Sequence, residues 1–238
     1  MLKKIVYTLL LSSIFYGCVD GDYNVHSTNN ISHKILVDAS HDGGTWWYPQ
    51  GASNFSPSLP HQGKQLADLL RSKGFMVDEL PSYTLINDSI LRQYKKVITV
   101  CGYGNYQESE LRAYEKFLTA KSSLFLISDH RTTASTDPLA SRLGVDLSGA
   151  YFGNADRYAS DPITNAATSF YYNAGSIVMN ENTNPDIQVL GWLNNDPGLP
   201  IMGVLKHPFA KIFFIGDANG IEGLPQPLTN NIMAWLFQ

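Results

Sequence analysis

The chain has 238 residues and a net charge of −4, and its 17 basic residues are scattered along its length, so it carries no electrostatic footprint for nucleic acid. It has two cysteines, Cys18 and Cys101; if the first is acylated, no intrachain disulfide is available and stability rests on packing. The abundant aromatics (13 Tyr, 11 Phe, 4 Trp) suit a compact core and supply rings able to stack on sugars.

At the N-terminus, Lys3 and Lys4 precede an apolar run from Ile5 to Phe15 and then Gly17-Cys18. The run is too short for a transmembrane helix, which needs about 20 apolar residues, and reads as an export signal. A small residue followed by cysteine resembles a bacterial lipobox, with cleavage before Cys18 and acylation of that cysteine, although Phe15 and Tyr16 are bulkier than the residues usual there. The expected organisation is a signal peptide over 1–18, a polar flexible tether over 19–32 and one α/β domain over 33–238. That domain is expected to be exported and lipid-anchored on the periplasmic or cell-surface side of a bacterial membrane, meeting the bilayer only through the lipid.

Ile35-Leu36-Val37 is a continuous apolar run that breaks at Asp38 into a loop containing Ser40, His41, Asp42, Gly43 and Gly44. That pattern predicts a strand buried on both faces. His61–Lys73 follows as a helix with Leu66, Leu69 and Leu70 on one face and Gly74 closing it. Phe75–Leu80 is a second strand, Asn87 caps a short helix to Tyr94, and Val97–Val100 is a third strand running into Cys101-Gly102-Tyr103-Gly104. Glu108–Thr119 is a helix with acids in its first turn, Leu124–Ile127 a fourth strand, and Asp137-Pro138 starts a helix that Gly144 ends. Four alternations of strand and helix predict a parallel sheet with right-handed crossovers.

Between Val145 and Pro200 the chain turns to Gly, Asn, Asp and Tyr, with short strand-like pieces at Ser176–Met179 and Ile187–Trp192. Antiparallel strands or long loops decorating the core are expected there. Lys211–Ile215 is a buried strand ending in Gly216-Asp217-Ala218-Asn219, and a helix from Leu228 to Phe237 closes the chain.

This order of elements, the Gly216-Asp217 strand end and the terminal Asn230-Asn231-Ile232-Met233-Ala234-Trp235-Leu236 helix resemble the class I glutamine amidotransferase-like superfamily, in its lipoprotein and trehalose-utilisation-type branches. Asp161-Pro162-Ile163-Thr164 is similar to a His-Pro-Ile-Thr segment common there, with Asp in place of His. The resemblance implies a flavodoxin-like three-layer sandwich with a mostly parallel central sheet and a Gly/Asn/Tyr-rich insertion of short strands. In the amidotransferases a cysteine nucleophile sits on a Gly-x-Cys-x-Gly elbow after the fourth of these strands, where this chain reads Ile127-Ser128-Asp129-His130. No late His-x-Glu pair follows either. Glutamine hydrolysis by that dyad is therefore not expected, and a pseudoenzyme or a binding module is.

Ligands of open α/β sheets bind beyond the carboxyl ends of the strands. There the topology gathers His41, Asp42, Asp129 and His130, candidates for general acid and base or for ligating a divalent metal. Around them stand Asp38, Ser40, Gly43, Gly44, Trp46, Trp47, Tyr103, Arg131, Asp217 and Asn219 as candidate ligand-binding residues. Asp38 has the alternative role of holding the loop through backbone amides. Trp46 and Trp47 are either a stacking wall for a sugar or a plug anchoring a long loop. Cys101 has no basic neighbour in sequence, so it reads as a buried strand-end residue. No cofactor is expected and no specific metal signature is present. The partner expected is a small polar ligand, carbohydrate-derived, or an envelope protein; the alternative is a hydrolase built on the Asp/His cluster.

Overall fold

The computed structural model describes residues 31–41, 63–80, 83–100, 106–132, 135–194 and 198–238. The first half alternates as its apolar runs dictate: β1 Lys34–Asp38, α1 Lys64–Ser72, β2 Met76–Leu80, α2 Asp88–Leu91, β3 Lys96–Val100, α3 Glu108–Leu118, β4 Ser123–Ile127 and α4 Pro138–Leu143. The second half runs β5 Leu147–Tyr158, β6 Phe170–Val178, β7 Ile187–Leu193, β8 Pro200–Lys206 and β9 Lys211–Ile215, then α5 Asn219–Gly223 and α6 Gln226–Phe237.

Local chemistry sets the helix ends. After α1, Gly74 takes φ +86°, its N–H reaching Arg71 O at 2.9 Å and the next N–H, of Phe75, reaching Leu70 O at 3.2 Å. That pair of bonds satisfies carbonyls the helix leaves open, in a conformation that costs glycine little. The Asn87 side chain accepts from Ile90 N at 3.0 Å to start α2, and Asp137 accepts from Ala140 N at 2.9 Å to start α4, with Pro138 just inside.

All nine described strands form one sheet in the order β2-β1-β3-β4-β9-β8-β7-β5-β6. Alternate residues of β4 feed opposite cores: Phe125 and Ile127 join Leu70, Leu228 and Ile232 on the α1/α6 side, while Leu124 and Leu126 join Tyr114, Phe117 and Leu139 on the α3/α4 side. Helices thus cover both faces of the sheet's parallel half.

The sheet departs from the expectation of a mostly parallel arrangement with a short-stranded insertion. Pairings from β2 to β9 are parallel, but β8, β7, β5 and β6 add four antiparallel pairings, so the sheet is mixed. The Gly/Asn/Tyr-rich segment is not a decoration of short pieces either, since β5 spans 12 residues and β6 spans 9. Glycines and register shifts bend this pair: Gly149 and Gly153 have positive φ, and the β5–β6 register slips between Ser148 and Phe152. A bulged, half-polar antiparallel strand lacks the continuous apolar run that marks a strand buried on both faces.

Candidate functional site

The carboxyl ends of β1, β4 and β9 form one edge, and the β5–β6 pair leans over it. Arg131 N–H, past the end of β4, donates to Gly149 O at 2.7 Å, Ser176 Oγ donates to Asp129 O, and Asn173 N–H donates to Asp217 Oδ2 at 2.6 Å. Five carboxylates are buried here: Asp38, Glu110, Asp129, Asp137 and Asp217, each no more than 3% exposed.

One group of residues surrounds the end of β1. Asp38 Oδ1 accepts Ser40 N–H at 3.0 Å and its Oδ2 accepts the Tyr114 hydroxyl. The loop is thereby tied both to the strand and to α3. His41 meets Glu110 at 3.0 Å between Nε2 and Oε1, and its ring lies 3.9 Å from that of Tyr106 at 32°. Glu110 also accepts Ile86 N–H at 3.1 Å on Oε1 and Gln107 N–H at 2.8 Å on Oε2, the latter closing the capping box of α3. Both oxygens are thus acceptors of backbone amides. We assign the proton of the His41–Glu110 contact to Nε2, which leaves Nδ1 with the imidazole lone pair.

A second group follows β4. Ser128 Oγ donates to Asp137 Oδ2 at 2.9 Å, and Arg131 Nη2 reaches the same oxygen at 3.2 Å. Asp137 therefore caps α4 with one oxygen and holds the guanidinium with the other. His130 Nδ1 lies 3.1 Å from Asp129 Oδ1, which also accepts His130 N–H at 2.6 Å; the His130 side chain is 53% exposed.

Tyrosines join these groups. Burial, first, and then Asp38, Asp137 and Glu110 hold the Tyr106 phenol well above its usual value of 10, with Arg131 opposing. Tyr106 therefore carries a neutral hydroxyl, and its ring lies against His41 and 6.3 Å from that of Tyr114. Tyr172 is raised by burial and then by Asp217 and Asp129, and its hydroxyl donates to Ser176 O. Around it the backbones close in: a Cβ on Gly175 would collide with the Tyr172 ring and Asp217, and one on Gly216 with Ser176 O and the Tyr172 hydroxyl. Ala174, between Asn173 and Gly175, takes φ +64°, a conformation costly for a residue with a Cβ, and the Asp217–Asn173 bond pins the backbone beside it.

Of the residues singled out from sequence, Asp38, Ser40, His41, Asp129, His130, Arg131 and Asp217 are placed at this edge, and half-buried Asn219 opens α5 just beyond it. His41 takes Glu110 as its carboxylate partner, while His130 takes its own neighbour Asp129. Ser40 Oγ is buried with no hydrogen-bond partner among the described residues. Asp42, Gly43, Gly44, Trp46, Trp47, Cys101, Tyr103 and Cys18 lie outside the described residues. Glu110 gives no sign of its role in the sequence, because an acid in the first turn of a helix already has a reason to be there. Tyr114 and Asp137 read from sequence only as a helix core residue and a helix cap.

Among the described residues no three His, Cys, Asp or Glu side chains are grouped to hold a metal ion, and no helix is long and apolar enough to cross a membrane. Two described cavities, of about 400 and 510 Å³, open at the opposite edge of the sheet.

No protein-family model matches the chain, and no curated protein sequence does. Solved structures do. The N-terminal domain of mmIFT52 superposes with TM-score 0.60 at 15% identity, covering 86% of this chain and 96% of that one. A structure described as a ThuA-like protein from Bacteroides uniformis gives TM-score 0.56 at 16% identity, covering 86% and 91%. One described as part of a GMP synthase from Thermoplasma acidophilum gives 0.53 at 13%, covering 84% and 92%. At such identities the likeness is one of fold, and it shows that this chain shares the α/β fold of these proteins.

Proposed function

We propose that the chain is a lipid-anchored, extracytoplasmic domain that binds a small polar, carbohydrate-derived ligand at the carboxyl edge of its sheet. The observation that carries this reading is the set of five buried carboxylates, among which Tyr114 donates to Asp38 and Arg131 pairs with Asp137. Burying charge does not repay its desolvation in stability alone, so a cluster of this size at a sheet's ligand edge supports recognition of a ligand rich in hydroxyls. The ThuA-like neighbour agrees with a carbohydrate-related role.

The test is calorimetric titration of the purified chain with a panel of mono- and disaccharides, including trehalose, and sugar acids. Saturable binding to at least one, weakened tenfold or more in His41→Ala, is the expected result. Absence of heat from the whole panel overturns the reading.

The His41–Glu110 pair favours a second reading, a hydrolase. A carboxylate that fixes one imidazole nitrogen leaves the other to take a proton from water or a substrate hydroxyl. In that case Glu110→Gln removes turnover of nitrophenyl glycosides while leaving sugar affinity within a few-fold.

A further inference from the structure

Ion pairing divides the described lysines, with four of the arginines beside the paired ones. Lys64, Arg71, Arg112, Lys116, Arg131 and Arg142 each meet a carboxylate. The remaining lysines after residue 30 all gather at the amino-terminal edge of the parallel strands, opposite the carboxylate cluster. Lys34 starts β1, Lys96 starts β3, Lys211 starts β9 and faces Lys206 across the β8–β9 turn. Lys73 and Lys121 follow the ends of α1 and α3, and Lys95 precedes β3.

None of these seven makes an ion pair among the described residues. Four of them donate instead to carbonyls: Lys95 to Ala120 at 2.9 Å, Lys211 to Trp235 at 2.7 Å, Lys206 to Pro185 at 3.4 Å, and Lys96 to Ser32. A carbonyl positions an ammonium without neutralising it. Burial, and then Lys211, press the Lys96 ammonium below its usual range, so like charges already crowd one another here.

The same edge exposes apolar groups. The two cavities of about 400 and 510 Å³ adjoin, sharing Ser32, Lys96 and Gln238, and no Asp or Glu is among their described linings. Phe209, in the turn between Lys206 and Lys211, is 55% exposed, and Met76 at the start of β2 is 57% exposed. Basic side chains interleaved with exposed rings are what a surface needs to sit at a bilayer interface.

The chain also enters at this edge, since Ile31–His33 leads directly into β1. Twelve residues, 19–30, separate Cys18 from Ile31, and a coil of that length has a root-mean-square span of about 20 Å. An acyl group at Cys18 therefore keeps this edge, rather than the carboxylate edge, within reach of the membrane.

We infer that the amino-terminal edge of the sheet is a docking face for the anionic phosphates of a phospholipid surface, which holds the carboxylate-lined edge pointing away from the membrane. The inference rests on the lipid-anchored reading above. Lysines meet lipid phosphates, the exposed Phe209 enters the interfacial layer, and the buried negative charge of the opposite edge disfavours the inverted orientation.

The test uses the full acylated chain incorporated in vesicles of phosphatidylcholine alone or with 30% phosphatidylglycerol. Flotation reports the anchor. On the floated protein, the acetylation rate of each lysine by a neutral active ester, read by mass spectrometry, reports the docking. Expected is a slowing of about fivefold or more at Lys95, Lys121, Lys206 and Lys211 in the anionic vesicles, with Lys64 and Lys116 unchanged. The charge-reversed chain Lys206→Glu/Lys211→Glu should still float but lose the protection at Lys95 and Lys121. Equal rates in both vesicle types overturn the inference. So does equal protection by inorganic phosphate on neutral vesicles, which assigns the lysines to a small anion. Failure to float overturns the anchor instead.

Discussion

Glu110→Ala tests whether the carboxylate beneath His41 is a structural keystone of the site. The side chain is 1% exposed and accepts from three donors: Ile86 N–H, Gln107 N–H and His41 Nε2. Truncation leaves two backbone amides and an imidazole N–H without their acceptor. Stranding a buried donor costs about 1–3 kcal/mol, and the lost half of the capping box is included in the Gln107 share. Taking the lower half of that range for each amide and less for partly exposed His41 gives about 3–4 kcal/mol. A domain with about 5–15 kcal/mol of stability survives this, but with its margin sharply cut. Urea denaturation at constant slope is the assay, with Glu110→Gln beside it. Gln keeps one acceptor oxygen but turns an amide group toward one donor, so about 1–2 kcal/mol is expected for it. A cycle with His41→Ala should give a coupling of at least about 0.5 kcal/mol, as contacting residues do. A loss below about 1 kcal/mol in Glu110→Ala, or no coupling to His41, would refute this account of the pair.

The glycines offer a sharp contrast. Gly216→Ala, whose Cβ would run into Ser176 O and the Tyr172 hydroxyl, should cost about 3 kcal/mol, because the obstruction is partly backbone. Gly74→Ala, at φ +86° with nothing within 4 Å of the added Cβ, should cost only about 1 kcal/mol in the same denaturation series. Alkaline titration tests the buried phenols. Tyr158 is pushed up to about 12, by burial and then Asp156, and Tyr106, Tyr114 and Tyr172 are raised well above 10. A raised folded value means that these groups contribute full stability below the unfolded value of about 10 and lose it as pH climbs through the folded one. Absorbance at 295 nm should therefore show a tyrosine class that ionises only as circular dichroism reports unfolding; every phenol titrating reversibly near pH 10 would contradict the packing.

The parallel half of the fold was legible because its strands are buried on both faces. Ile35–Val37, Val97–Val100 and Leu124–Ile127 read as continuous apolar runs, and Asn87, Asp137 and Gly144 punctuate the helices by chemistry local to a few residues. The antiparallel half was not. In β5, buried and exposed positions alternate irregularly around Gly149 and Gly153, and in β8 an initial Pro200 and an internal Gly203 argue against a strand that is in fact almost wholly buried. At the site, the strand-end residues could be placed because topology alone brings them to one edge. The partners supplied by helices could not. Glu110 and Tyr114 lie on α3, and only the packing of that helix against β1 puts one beneath His41 and the other against Asp38.

The position of β9 bears on how the molecule is made. It pairs with β4 on one side and β8 on the other, with Ser123 beside Lys211, although it is the last strand in the chain. Until residues 211–215 emerge, the β2-β1-β3-β4 block and the antiparallel block each present a raw edge of unpaired amides and carbonyls, the template on which strands of other molecules add. Synthesis must therefore deliver the chain through residue 215 before either block is shielded. A truncation anywhere before Gly216 should yield aggregate rather than a smaller soluble domain.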